Sequence, residues 1–489
     1  MVDIQGTTLS TDTATFLREQ QIRGVCLFRP NLGSEAEVKQ LVADLREAMG
    51  PHALIAIDQE GGSVARATFL PQAPAAMGLG AISDTAAAEA EAEAAGAMVA
   101  RGLRGLGINW NFAPVLDVNN NPANPVIAER SFGAEPQRVA RLAAAWMRGS
   151  LREGVACCVK HFPGHGDTHT DSHHALPTVD KSLAELEALE LIPFRALAAR
   201  APALMTAHIV YPQLDAEHPA TMSRRVLTGL LRESIGYRGV VISDALMMKA
   251  VHDRYGHERG AVLTLQAGAD MALAQGSRAD QQAALDAIAS ALQDGRLARA
   301  QMEAARARLE ALAEAYPAGA RPCSSAQRSN DEAWAQAAWA RGLTALGGAR
   351  PPRPGSALRV VTQDRVDTDG VSEAGASAEQ VATLFAAFPD VDLLRVPDLP
   401  RFDPATLPRD GRQVVLVSNH RRRYAPPAIG WAPDLHLALW NPFQAADIAA
   451  PAVLTWGYAE PALAALRAWL EGRAEATGVP PVALATHPR

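Results

Sequence analysis

Four cysteines in 489 residues are too few for a disulfide framework. Two of them, Cys157 and Cys158, are adjacent in an apolar run, so on a strand their side chains point to opposite faces, which disfavours a bridge between them. The sequence also lacks any stretch of about 18 apolar residues, and no basic segment followed by an apolar run opens the chain. A membrane span and a secretory leader are therefore not expected, and a reducing, cytoplasmic setting is. The formal net charge of −7 is small for this length and gives no case for nucleic acid or an anionic membrane surface as a partner. No fixed-period repeat is visible.

What is present is a globular composition, 48% hydrophobic and 20% charged, in a chain long enough for two domains. Short apolar runs alternate with helical patterns, the mark of βα units around a parallel sheet. The runs are Val2 to Ile4, Arg23 to Phe28, Ala53 to Ile57, Ile108 to Phe112, Gly154 to Val159, Ala203 to Thr206, Gly239 to Ile242 and Ala269 to Leu273. Helices are expected at Thr85 to Leu106, Ser182 to Arg200 and Ser223 to Ile235. Eight strands at this spacing predict an α/β fold of the (β/α)8 TIM-barrel type.

The densest chemistry lies in Lys160 to Pro177, KHFPGHGDTHTDSHHALP, where five histidines and two aspartates fall within eighteen residues. His161, His165, His169 and His173 are four apart, which on a helix would align them as metal ligands. Pro163, Gly164 and Gly166 break such a helix, so the run reads as a loop leaving the end of a buried strand. Other strand ends carry similar groups: Asp58 with Gln59, Glu60, Gly61 and Gly62; Asp117 and Asn119; Lys160 and His161; His208; and Asp244. Catalytic side chains of barrel folds collect at that end. Each has a plainer reading: Asp244 as a helix N-cap, the glycine pair as a tight turn, Arg130 as a surface guanidinium.

The segments IDQEGG (Ile57 to Gly62), NPVIAERSFG (Asn124 to Gly133), the histidine run and ISDALMM (Ile242 to Met248) resemble, in that order, the glycoside hydrolase family 3 β-N-acetylglucosaminidases of bacterial peptidoglycan recycling. The resemblance implies that Asp244 is the nucleophile forming a covalent glycosyl-enzyme, that His173 is the acid/base and that Asp171 orients it. It also implies that Asp58, Arg66, Arg130, Lys160 and His161 hold the sugar hydroxyls. One departure is Ser63, where many relatives have arginine after the two glycines.

A retaining glycosidase needs a nucleophile on one face of the anomeric carbon and a proton donor near the leaving oxygen. Histidine beside an aspartate fits the second role, since it exchanges protons near neutrality. The small polar residues of the loop predict that it is mobile and completes the site when sugar binds. The expected ligand is a small carbohydrate or muropeptide, with no cofactor and no metal. Two alternatives stay open: a phosphorylase, because a histidine acid/base does not repel phosphate, and a zinc-dependent hydrolase using the His/Asp loop. The oligomeric state is not legible.

The barrel is expected over residues 1–315, and a linker with one helix over 316–356. From Leu358 the runs LRVVTQ, VDLLRV, QVVLVSN, LHLALW and PAVLTWGY, with helices at Ser377 to Phe388 and Glu460 to Glu471, predict a smaller α/β sandwich domain over 357–489. It resembles, more loosely, the second domain of two-domain family 3 enzymes. Arg421 to Arg423 reads as a solvated loop.

Overall fold

Successive residues of a strand face opposite sides of a sheet, so a strand buried on both faces feeds two cores. The computed structural model, which describes residues 1–172 and 175–484, shows this along the first domain. Its strands are β1 (Gly24–Leu27), β2 (Leu54–Ile57), β3 (Trp110–Asn111), β4 (Ala156–Phe162), β5 (Ala203–Thr206), β6 (Val240–Ala245) and β7 (Met271–Leu273). They pair in sequence order, all parallel. Cys26, Ala56, Cys158, Met205 and Ile242 form a core inside the curled sheet, while Val25, Ile57, Cys157, Leu204 and Val241 form another under the surrounding helices. Cys157 and Cys158 do point to opposite faces, and all four cysteines are free.

The expected first strand, Val2 to Ile4, makes one parallel bridge, Val2 to Val25, rather than a ladder. It nevertheless fills the gap between β1 and β7. The Val2 N–H donates to the Gly24 carbonyl at 3.0 Å, and the Ala274 N–H donates to the Met1 carbonyl at 2.9 Å. Eight strand positions thus ring the inner core, as a (β/α)8 fold requires. The helix Arg299–Ala315 closes the end where the strands begin, placing Leu309, Leu312 and Ala313 in the inner cluster.

The helix Thr85–Leu106 has the expected bounds, with Asp84 accepting from the Ala87 N–H as N-cap. The helix expected over Ser182 to Arg200 is instead two, Leu183–Ala188 and Leu191–Leu197. Pro193 accounts for the break, because its ring clashes with the carbonyl four residues back, at Leu189. Two strands run longer than expected: β4 continues through Lys160 and His161, and β6 through Asp244, so those side chains are set by strand geometry.

The second sheet contains β8 (Thr344–Leu346), β9 (Ala357–Gln363), β10 (Asp390–Val396), β11 (Gln413–Ser418), β12 (Leu435–Ala438) and β13 (Ala452–Leu454). Its spatial order is β8-β13-β12-β11-β9-β10, parallel except for the β8–β13 pair. Strand β8 lies inside the segment read as linker, where TAL is too short a run to declare itself. Val360, Val415 and Val417 pack under the helix Glu460–Leu470, and Val361 and Leu416 face the opposite layer.

The two domains share an apolar seam. Ala75, Met77, Ala81 and Ala128 of the barrel pack with Ala438, Phe443, Leu454 and Trp456. The closing segment folds back onto the barrel, the Val479 N–H donating to the Ala81 carbonyl at 2.8 Å. Arg421 and Arg423 are not a solvated loop. Arg421 is buried against Asp369 and the Val126 carbonyl, and Arg423 bonds Asp447 and, at 3.0 Å, the Pro122 carbonyl. Asp369 and Asp447 lie 52 and 24 residues away, and the two carbonyls sit on a barrel loop some 300 residues away, so no local pattern announces these partners. No helix among the described residues is long and apolar enough to cross a membrane.

Candidate active site

Strand ends on the side where β2, β4 and β6 terminate open into a cavity of about 540 Å³. Asp58, Arg66, Arg130, Lys160, His161 and Asp244 line it together. Asp58 directly follows β2, and a tight hairpin, Gln59–Gly61 against Val64–Ala65, turns Glu60 and Arg66 into the same space. Glycine is required at that turn. Gly62 has φ 60°, and a Cβ there would come within 2.5 Å of the Ala75 Cβ.

Arg130 arrives on a loop shaped by Asn124, whose side-chain oxygen accepts from the N–H groups of Val126 and Ile127 at 2.9 and 2.7 Å. It is no surface guanidinium. It makes a two-pronged bond to Glu60, 2.9 and 2.8 Å, and is nearly fully buried. Lys160 donates to Asp58 and lies equally close to Glu60, at 2.7 Å in each case. Glu60 is therefore the hub between two cations. Burial opposes its charge, but Arg130 and Lys160 outweigh that and hold its carboxyl well below the usual carboxylate range. Lys160 is likewise held charged, Asp58 and Glu60 outweighing its burial.

His161 bonds Asp117 through Nδ1 at 2.7 Å, and Asp117 also accepts the backbone N–H of His161 and of His165, at 3.2 and 2.7 Å. Burial works against the Asp117 charge, and the His161 ring beside it more than compensates. This pairing fixes the His161 tautomer and leaves Nε2 for the cavity. His165 is tied on both ring nitrogens, to Thr168 and Ser172 at 2.9 Å each, and burial lowers its pKa to about 4. It is a neutral framework residue.

The first half of the histidine loop is firmly held. The Asn124 amide donates to the His165 carbonyl at 2.8 Å, the Tyr211 hydroxyl to the Gly164 carbonyl at 2.5 Å, and Lys181 pairs with Asp167 at 2.7 Å. Gly166 packs so tightly that a Cβ would lie 1.7 Å from the Val118 carbonyl oxygen. The expected mobility thus meets well-anchored backbone as far as Thr168. Asp171 is half-buried and lies outside the cavity lining; His173 falls outside the described residues.

Asp244 sits near the end of β6, its carboxylate accepting the Ala245 N–H at 2.8 Å. His208 braces this strand end from below, bonding the Ala245 carbonyl at 3.0 Å and Thr221 at 2.8 Å. Among the described residues no group of three or more His, Cys, Asp or Glu side chains is arranged to hold a metal ion.

Three contributions escape a local reading of the sequence: those of Glu60, of Asp117 and of the second domain. Glu60 and Asp117 were visible as strand-end acids, but their role as partners depends on pairings between strands. The other contributor is the second domain, which supplies Asp369, Gly370 and Val371 to the cavity wall and Glu373 to Arg66, at 2.8 Å. No local signal could have announced it, because Glu373 is 307 positions from its partner.

A barrel with buried cations and carboxylates facing each other across a pocket at its strand ends suits a small, hydroxyl-rich ligand. Residues 1–312 match the glycosyl hydrolase family 3 N-terminal domain, and the chain belongs to that family. It is similar to a curated β-hexosaminidase of Pseudomonas aeruginosa, 39% identical over 289 residues that cover 59% of this chain and 85% of the relative. A solved family 3 β-N-acetylglucosaminidase from a Paenibacillus species aligns over 100% of this chain and 98% of its own, at 32% identity and a TM-score of 0.84. NagZ of Neisseria gonorrhoeae, solved with N-trifluoroacetyl-D-glucosamine, is 34% identical over 64% of this chain and 97% of its own, with a TM-score of 0.52. The same protein has been solved with a zinc ion, in an alignment of 32% identity covering 69% of this chain and 97% of the other, TM-score 0.57.

Proposed function

We propose that this chain is a cytoplasmic, retaining exo-β-N-acetylglucosaminidase that removes a terminal β-linked N-acetylglucosamine from peptidoglycan-derived fragments. The observation that carries the reading is the single cavity shared by Asp244 and the five residues implied as sugar ligands. Its size falls within the about 300–1,000 Å³ of small-molecule sites. The β-hexosaminidase relatives and the N-acetylglucosamine analogue bound by the Neisseria protein support the choice of sugar.

In the first step a carboxylate oxygen of Asp244 attacks the anomeric carbon while His173 passes its proton to the departing glycosidic oxygen. In the second, His173 takes a proton from water, the water oxygen attacks the same carbon, and Asp244 leaves with the bond electrons. Asp171 keeps the imidazole oriented and basic enough for both steps. Meanwhile Asp58, Arg66, Arg130, Lys160 and His161 hold the ring hydroxyls, so that the carbon is presented to Asp244.

The test is turnover of 4-nitrophenyl β-N-acetylglucosaminide with and without phosphate, identifying the sugar released. Free N-acetylglucosamine at a rate indifferent to phosphate is expected, whereas N-acetylglucosamine 1-phosphate would make the enzyme a phosphorylase. Because a Neisseria relative has been solved with zinc, the same assay includes a chelator. Turnover should persist, and its loss would favour the metal-dependent alternative.

A further inference from the structure

Three cations line the sugar end of the cavity, and they are held differently. Lys160 and Arg130 are fixed by barrel carboxylates, Asp58 and Glu60. Arg66 is only 8% exposed, yet its hydrogen-bonded carboxylate, Glu373, comes from the second domain. Its Nε is buried without a protein partner. Among the described residues, the hydrogen bonding of this long, four-torsion side chain therefore rests on one interdomain bond, with Asp58 attracting the guanidinium without bonding it.

Glu373 is itself set rigidly. Its backbone N–H donates to the Ser63 carbonyl at 2.9 Å, and its carbonyl accepts the Tyr458 hydroxyl at 2.8 Å. Two residues earlier, Val371 packs with Val64, Val126 and Ile127 of the barrel loops. Asp369 is gripped by Arg421, which also reaches the Val126 carbonyl. Residues 369–373 thus form a strap over the hairpin that carries Arg66.

Ser63 belongs to the same joint. Its hydroxyl donates to Glu129 at 2.6 Å, the Trp440 indole N–H shares that carboxylate oxygen at 2.8 Å, and Ser372 lies 3.4 Å away. Ser63 is 2% exposed, so a longer side chain would displace the strap. The serine that departs from the family pattern is thereby explained as the docking point of the second domain.

We infer that Glu373 is a positioning residue for Arg66, and that the second domain thereby completes the sugar-holding end of the active site. The inference rests on the glycosidase reading for what Arg66 holds. Without Glu373, the anions left acting on the guanidinium are Asp58 and Glu60, groups already committed to Lys160. Binding suffers first, chemistry little.

The experiment compares the full-length protein with its Glu373→Ala and Glu373→Gln variants. KM for 4-nitrophenyl β-N-acetylglucosaminide and the inhibition constant of N-acetylglucosamine should both rise about tenfold in the alanine variant, with kcat within about threefold. Glutamine, which keeps the hydrogen bond, should recover most of the loss, and the melting temperature should stay within about 2 °C in both. Unchanged KM and inhibition constant, or losses that simply track a fall in melting temperature, would overturn the proposal. The Arg66 guanidinium ¹⁵N resonances give a reading independent of turnover. They should shift and broaden in Glu373→Ala and stay near their wild-type positions in Glu373→Gln; unchanged signals in Glu373→Ala would reject the positioning role even if the wild-type protein proved inactive on this sugar.

Discussion

Both domains place polar side chains at the C-terminal ends of parallel strands, yet they use them in opposite ways. In the barrel those residues are ions: Asp58, Glu60, Lys160 and Arg130 form an interlocked cluster that faces a cavity. In the second domain the group at the end of β11 is neutral and sealed. Ser418, at the end of β11, bonds the Tyr424 hydroxyl and His436 at 2.6 and 2.7 Å. Asn419 donates to the Gln363 and Ala376 carbonyls at 2.8 and 2.7 Å, and His420 meets Gln444 at 3.1 Å. The topology offers a site in both places. Only where charge is gathered and left facing open space does it become one. In the second domain the hydrogen bonds are spent on each other, and its strap, not its strand ends, reaches the active site.

The largest effect should come from the open cluster. Asp244→Ala is expected to lower kcat by about 10⁴-fold or more while the melting temperature is preserved; calorimetry beside the kinetic assay checks both, and retained turnover would remove Asp244 from the nucleophile's role. Glu60→Ala should follow, because it leaves Arg130 a buried cation without its carboxylate and leaves Lys160 with Asp58 alone. A loss of about 3–5 kcal/mol in urea unfolding is expected, with turnover falling as well.

Acid should reveal the neutral cluster. Burial lowers His420 and His436 to a pKa of about 3, so both are uncharged in the folded protein, whereas the unfolded chain protonates near 6.5. Their contribution to stability is full above that value and is lost as pH falls from about 6.5 towards 3, by up to a few kcal/mol. His165 adds the same trend in the barrel down to about 4. With two such histidines against one among the described residues, the second domain should lose amide-exchange protection before the barrel as pH is lowered from 6.5 to 4; the reverse order would break the comparison. The smallest effect is expected from Ser418→Ala, about 1–2 kcal/mol of stability through the orphaned Tyr424 and His436, with KM unchanged.

Much of this was legible in the sequence because it is local. Seven of the eight apolar runs of the barrel and all five of the second domain are strands, and Pro and Gly mark where the histidine run leaves the sheet. What escaped were relations between distant positions. Glu60 reads as one more strand-end acid, because the Arg130 that pairs with it lies seventy residues on. Arg421 read as solvated for the same reason. The helix break before Pro193 was local but was outweighed by the surrounding helical composition. In the sequence Ser63 is only a departure, since the residues that make serine fitting there, Ser372 and Glu373, lie in the other domain.

A double displacement through Asp244 requires retention at the anomeric carbon, and the configuration of the first sugar released tests it most directly. In a proton NMR time course on 4-nitrophenyl β-N-acetylglucosaminide, the β-anomer should appear first and mutarotate later. Initial release of the α-anomer would mean a single displacement by water and would contradict the account.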